Sequence, residues 1–125
     1  FDSILFPINF VCWNAGNFGP QVFAEAEKRG MGILALKAMA LTPLEQDEQK
    51  FDKNVWYRPI QDEQIMKMAL KYTLSKNITA AVPPGKNTLF LKALEFMNDY
   101  QPISEKETTE LLALAKATKP IFMQA

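Results

Sequence analysis

Short runs of consecutive apolar residues alternate along this sequence with longer segments whose apolar residues recur at helical spacing. Three such runs, Ser3–Phe10, Ile33–Leu36 and Ile78–Val82, are rich in aliphatic or aromatic residues and predict buried strands. Buried strands that alternate with amphipathic helices are typical of parallel βα units. The pattern therefore predicts an α/β fold with about three parallel strands, covering helices and a C-terminal helix.

Two helices are predicted between these strands, each from its terminal residues and its periodicity. Pro20 fits the first position of a helix, and Gly30 is suited to the residue that ends it. Asp62 is a good N-cap for a second helix that runs to about Ser75. Both segments have one apolar face, which predicts that they pack against the sheet.

Two further helices are predicted after the third strand. The first begins near Asn87 and is apolar on most sides, so we expect it to be buried. The second begins at the pair Ser104 and Glu107, which has the spacing of a capping box. This last helix is the expected C-terminal helix of the fold.

The segment from Ala38 to Pro59 has the least regular pattern. Its charged stretch at 45–50 predicts a solvated loop, and Trp56, Tyr57 and Arg58 lie near its end. Two aromatic residues beside an arginine are typical either of a ligand-stacking surface or of a loop anchored on the core. The sequence leaves both interpretations open.

The turn after the third strand is the strongest candidate for chemistry in the sequence. Pro83, Pro84 and Gly85 join this strand to the next helix, and Lys86 adds a positive charge. Free N–H groups and the dipole at a helix start favour an anion such as phosphate. We expect Gly85 to allow a positive φ or a close backbone approach. The alternative is an ordinary strand-to-helix turn without a ligand.

A second candidate is Lys37, which directly follows the second strand. A lysine that adjoins a buried run needs either a partner or a route for its ammonium group to reach water. Lys37 is therefore either a site residue or a surface lysine whose stem covers the core.

Composition narrows the classes of function. The 14 basic and 14 acidic residues give no net charge, which argues against a nucleic-acid or anionic-membrane surface. No apolar run is long enough to span a bilayer, so we expect no membrane partner and a cytoplasmic location. The absence of histidine excludes Ser/His and Cys/His catalytic pairs, and it makes the single cysteine, Cys12, a core residue.

The chain begins at Phe1 and leads directly into an apolar run, so we interpret it as a piece of a longer protein. Residues 1–125 form one domain portion in this interpretation. Three parallel strands leave two bare edges and one apolar face without a helix layer. We therefore expect the chain to associate with the missing part of the protein or with itself.

Several segments, in their order and spacing, resemble the C-terminal part of an aldo/keto reductase. This family folds as a parallel βα barrel and uses NADP or NAD as cofactor. The resemblance covers nearly the whole chain. It is carried by Asp2-x-x-x-Phe6-Pro7-x-Asn9, Lys28–Lys37, Ala69–Ser75 with Ile78–Gly85, and Ser104–Glu107.

The resemblance implies the C-terminal half of a TIM-type (β/α)8 barrel in a protein that reduces a small-molecule carbonyl substrate by hydride transfer. It places Asn9 and Phe10 at the substrate pocket. The implied cofactor-binding residues are Leu36, Lys37, Ala38, Pro84, Gly85, Lys86 and Asn87. The catalytic Asp, Tyr, Lys and His of the family lie on earlier strands, so this chain is expected to be inactive alone.

Two positions depart from the family pattern. Leu5 replaces a glutamine that commonly binds the nicotinamide amide, and Phe90 replaces an arginine that often binds the ribose phosphate. These departures favour an alternative in which the protein is a non-catalytic, reductase-like regulatory or interaction module. An unrelated half-barrel that binds phosphate is the third interpretation.

Overall fold

A three-stranded parallel sheet positions the ends of the candidate segments. The computed structural model describes residues 1–125, and its main sheet has the order β1-β2-β5, with β1 at Ser3–Pro7, β2 at Gly32–Leu36 and β5 at Ala80–Ala81. β1 pairs with β2 along its whole length, from Ser3 opposite Gly32 to Pro7 opposite Leu36. The expected α/β class and the three parallel strands are confirmed.

The third strand is shorter than the predicted range of 78–82. Thr79 and Val82 still donate backbone hydrogen bonds of 2.8 Å to the carbonyls of Ile33 and Ala35. The Thr79 hydroxyl accepts a hydrogen bond from the Ile33 amide at 3.0 Å, and so replaces a backbone acceptor. Pairing ends after Val82 because Pro83 has no N–H to donate.

The sheet is accompanied by five helices rather than the four that the sequence predicts. They are α1 at Phe10–Asn14, α2 at Pro20–Lys28, α3 at Glu63–Leu74, α4 at Asn87–Met97 and α5 at Glu105–Lys116. The predicted strand to Phe10 is wrong in its last residues. The last hydrogen bond of this segment to β2 runs from the Ile8 amide to the Leu36 carbonyl at 3.0 Å, and the side chain of Asn9 then caps a short helix that begins at Phe10.

The segment predicted to be irregular contains a hairpin. β3 at Ala40–Pro43 pairs in antiparallel fashion with β4 at Tyr57–Pro59. Part of the charged stretch is also held in place, since Arg58 donates hydrogen bonds of 2.9 and 2.6 Å to both carboxylate oxygens of Glu48. These bonds hold the pKa of Glu48 below its ordinary value.

Two apolar clusters account for most of the core. The larger packs α1, α3, α4 and α5 together through residues that include Phe10, Ile60, Leu111 and Ala115. The smaller packs one face of β1 and β2 against α2, with Phe6, Ile33, Ala35 and Ala26 among its members. Side chains alternate along a strand, so Leu5 and Leu34 point to the opposite face. Leu5 is 53 % exposed there.

α4 is not buried on most sides, which corrects the prediction. Leu89 and Phe96 are buried, but Leu91 and Leu94 are 63 % and 49 % exposed. The helix packs against α3, and the exposure of Leu91 and Leu94 shows that one face of it is left largely uncovered. The apolar residues on that uncovered face made the helix look fully buried in the sequence.

A partly buried ion pair joins α5 to α3. The Lys71 ammonium, whose side chain is 9 % exposed, lies 2.8 Å from Glu107 Oε1. Glu107 Oε2 also accepts the backbone N–H of Ser104 at 2.8 Å, while the Ser104 hydroxyl accepts the Glu107 amide at 3.2 Å. This confirms the predicted capping box. The hydrogen bond from Lys71, followed by that from Ser104, lowers the pKa of Glu107.

Candidate functional site

Candidate residues follow the carboxyl ends of all three parallel strands. Asn9 follows β1, Lys37 follows β2, and Pro84 follows β5. The carboxyl ends of parallel strands share one edge of a sheet, and ligands of α/β proteins commonly bind beyond that edge. This placement makes the edge the candidate functional site.

Asn9 is the structural centre of the edge. It has no exposed surface, and both halves of its side-chain amide are fully used. Nδ2 donates to the carbonyl oxygens of Lys37 at 2.9 Å and Ala40 at 2.7 Å. Oδ1 accepts from the amides of Val11 at 3.0 Å and Cys12 at 3.1 Å. Asn9 therefore joins the start of α1 to the turn that follows β2.

Asn9 and Phe10 are the two residues that the resemblance assigns to a substrate pocket. Phe10 is also without exposed surface and belongs to the larger apolar cluster. In this structure both residues support the edge from within. Direct contact between either residue and a substrate stays a prediction.

Lys37 occupies a backbone conformation that is rare for its residue type. Its φ is +67°, and its carbonyl accepts the Ala40 amide at 3.0 Å to close a tight turn. A left-handed conformation costs a residue with a Cβ about 1–2 kcal/mol. The Asn9 hydrogen bond to the same carbonyl offsets this cost. Such strain is concentrated at functional sites, which directs attention to the Lys37 side chain.

The Lys37 ammonium has aromatic neighbours and no acidic partner. Nζ lies 4.5 Å from the ring centroid of Tyr57 and 5.2 Å from that of Trp56. No carboxylate forms an ion pair with it. Partial burial lowers the pKa of Lys37 because it disfavours the charged form. Lys37 thus presents a positive charge that the chain itself does not neutralise.

The turn between β5 and α4 differs from its prediction in detail. Gly85 does not have a positive φ, so this reason for a glycine is wrong. A Cβ at Gly85 would instead lie 3.1 Å from the Asn54 carbonyl oxygen, so close approach of that loop explains the residue. Lys86 is already engaged, with Asp52 at 3.9 Å and the Phe51 ring at 4.1 Å.

A largely apolar cavity of about 200 Å³ opens beside Lys37. Eleven of its fourteen lining residues are hydrophobic, and Lys37 is the only charged one. Lys37, Ala38 and Pro84 are the predicted site residues that line it, whereas Leu36, Gly85, Lys86 and Asn87 do not. The remaining walls are Met39, Tyr57, Leu70, Leu74, Ala81, Val82, Pro83, Phe90, Ala93, Leu94 and Met97.

Tyr57 is a polar lining residue that the sequence indicated only as part of the Trp56-Tyr57-Arg58 run. It is buried, yet its hydroxyl forms no hydrogen bond within the chain, unlike that of Tyr72, which accepts from Asn14 at 3.1 Å. Burial raises the pKa of Tyr57, so the phenol stays protonated and able to donate. The Trp56-Tyr57-Arg58 run was the available signal. Tyr57 is buried with Ala40 and Val55, which agrees with a loop anchored on the core, while ligand stacking stays a prediction.

Comparisons with protein-family models, with curated proteins and with solved structures gave no significant match. The chain contains no cluster of three or more His, Cys, Asp or Glu residues arranged to hold a metal ion. None of its helices has the length and apolar character needed to cross a membrane.

We predict that Asn9→Ala destabilises the fold strongly. It removes the α1 cap and leaves the buried carbonyls of Lys37 and Ala40 without their donor, at a cost of about 3–5 kcal/mol. Urea unfolding measures the loss. Asn77→Ala is the matched control, since Asn77 is exposed and makes one bond of 3.2 Å to Glu27. Similar free energies of unfolding for both variants would contradict the role assigned to Asn9.

Proposed function

We propose that this chain is the C-terminal half of a βα barrel in an NAD(P)-dependent reductase of the aldo/keto reductase type. The observation that carries the proposal is the unpaired Lys37 ammonium at the carboxyl edge of β2. A cation in this place is suited to the diphosphate of a dinucleotide. The parallel strand order and the resemblance to the family, stated above, agree with the proposal.

The residues of this chain that suit a dinucleotide would contact its diphosphate and the groups next to it. Lys37 supplies charge for the diphosphate, with Leu36 and Ala38 beside it in the chain. The α4 start has no side-chain cap, so the first amides of the helix remain available to an anion near Pro84–Asn87. Phe90 offers no charge to a ribose phosphate, so we expect no preference for NADP over NAD.

The chemistry of the proposed reaction is divided between the cofactor and two parts of the protein. The bound nicotinamide supplies the hydride, and the residues of this chain bind and orient the cofactor. The proton donor for the carbonyl oxygen would come from the part of the barrel outside these residues. The proposed substrate class, small carbonyl compounds, rests on the resemblance to the family.

A non-catalytic, reductase-like module is the second candidate function. The specific observation in its favour is the apolar lining contributed by Phe90, Leu94 and Met97 of α4. An apolar wall gives few hydrogen bonds to a nucleotide base or ribose. Nucleotide binding distinguishes the two candidates.

The test uses Lys37→Met in the protein that carries this chain. NADH and NADPH are titrated into it, and binding is followed by tryptophan fluorescence, to which the adjacent Trp56 contributes. Loss of one charge-assisted contact should weaken binding roughly 10- to 100-fold. Lys76→Met is the matched control. Lys76 also lies over two rings, Trp13 at 4.8 Å and Tyr72 at 4.5 Å, without an acidic partner, but it does not line the cavity.

Equal affinity of the two variants would contradict the role of Lys37. Failure of the unmodified protein to bind either nucleotide would overturn the reductase proposal and favour the non-catalytic module.

We also propose that the uncovered face of the sheet, formed by Leu5, Leu34 and Leu36, meets the rest of the barrel or a second copy. Full burial of a leucine contributes about 1.5–3 kcal/mol, which favours association of the isolated chain. Light scattering over a dilution series should show a mass above 14.2 kDa that falls for Leu5→Lys. A monomer at every concentration would contradict this proposal.

A further inference from the structure

We propose that the cavity beside Lys37 binds a small aliphatic monocarboxylate. In this proposal the aliphatic tail lies among the apolar residues of α3 and α4. The carboxylate accepts hydrogen bonds from Lys37 Nζ and from the Tyr57 hydroxyl. The inference goes beyond the proposed reductase function and does not depend on a dinucleotide.

The shape and the lining of the cavity select the tail. Leu70 and Leu74 come from α3, and Phe90, Leu94 and Met97 come from α4, so both long walls are aliphatic or aromatic. The cavity volume of about 200 Å³ is below the roughly 300–1,000 Å³ typical of sites for drug-sized ligands, so only a short tail fits. The six-carbon hexanoate is a probe of this size.

The polar groups of the cavity select the head. Lys37 is its only charged residue and lacks a carboxylate partner, and the Tyr57 hydroxyl lacks a hydrogen-bond partner. The two side chains are adjacent, with Nζ 4.5 Å from the Tyr57 ring centroid. No side-chain donor of the chain is both fully buried and unpaired, so the Lys37 ammonium and the Tyr57 hydroxyl remain accessible, and a carboxylate can accept a hydrogen bond from each.

Charge balance distinguishes a carboxylate from a phosphate. One ammonium neutralises one negative charge, and Tyr57 contributes a neutral donor. Inside the apolar cavity a phosphate monoester would leave close to one uncompensated negative charge, which is unfavourable. A dinucleotide diphosphate would instead lie at the open edge of the sheet, where water and the uncapped α4 amides also solvate it. Lys86 does not supply this missing charge, because it is engaged with Asp52 and does not line the cavity.

The aromatic neighbours of Lys37 also agree with an anion site. Two rings hold the ammonium in position through cation–π contacts. Breaking these contacts when a ligand binds costs less free energy than breaking a buried ion pair. A carboxylate side chain of the protein itself would have accepted the hydrogen bonds of the Lys37 ammonium. The absence of such a partner is what leaves Lys37 available to an anion.

Isothermal titration calorimetry of the protein with hexanoate tests the proposal. Hexan-1-ol retains the tail without the charge, acetate retains the head without the tail, and inorganic phosphate replaces the head. Hexanoate should bind at least about tenfold more tightly than each of the three. Equal or tighter binding of hexan-1-ol, acetate or phosphate would overturn the proposal.

Three variants test the residues assigned to the head. Lys37→Met keeps the stem and should weaken hexanoate binding roughly 10- to 100-fold, while Tyr57→Phe keeps the ring and should weaken it about tenfold. Lys76→Met should leave the affinity unchanged. Circular dichroism and thermal unfolding identify a variant that has lost its fold. If a variant is unfolded, the comparison of hexanoate and hexan-1-ol affinities on the unmodified protein decides whether the proposal stands.

The outcome is separable from that for the reductase proposal. Nucleotide binding without hexanoate binding would overturn this inference alone. Hexanoate binding without nucleotide binding would support this inference and overturn the reductase proposal. Competition between the two ligands is expected if both bind, because both use Lys37.

Discussion

The side-chain amide of Asn9 is the constraint on which the carboxyl edge of the sheet depends. Its carboxamide oxygen caps α1 by accepting from the first amides of the helix, and its NH2 group donates to the carbonyls of Lys37 and Ala40. Two segments that are separated by about thirty residues in the chain are thereby fixed to one another without exposed surface. A buried amide with four partners is specific in a way that an apolar contact is not, because a small displacement leaves several groups unpaired.

The same hydrogen bonds fix the backbone from which the Lys37 side chain extends. Lys71 and Lys86 each have a carboxylate within 4 Å, at Glu107 and Asp52, and their charges are used within the chain. Lys37 and Lys76 lie over aromatic rings instead, and burial lowers the pKa of both. Of these two lysines, only Lys37 lines the cavity of about 200 Å³, and only Lys37 has a positive φ. Its free charge, its strained turn and the apolar space beside it form one arrangement.

The sequence predicted what depends on local pattern and missed what depends on tertiary contact. Apolar runs and caps located the three strands and four of the helices, and the Ser104–Glu107 capping box was found directly from its spacing. The hairpin was missed because its strands are short and joined by a long charged loop. The amphipathic exposure of α4 was missed because its periodicity does not show which face has a partner. Asn9 follows the end of β1 as predicted, but no local signal reveals that its partners are at Lys37 and Ala40. The cavity was missed in part because Tyr57 and Phe90 reach it from elements far apart in sequence.

The central claim is that Asn9 holds Lys37 in a partly buried, unpaired position, and NMR titration of the lysine side chains tests it most directly. We predict that Lys37 and Lys76 titrate below the surface lysines in the unmodified protein. In Asn9→Ser, which retains a cap for α1 but can donate at most one of the two hydrogen bonds, the pKa of Lys37 should rise toward that of the surface lysines while that of Lys76 stays unchanged. Titration of Lys37 together with the surface lysines in the unmodified protein, or equal shifts of Lys37 and Lys76 in the variant, would contradict the account.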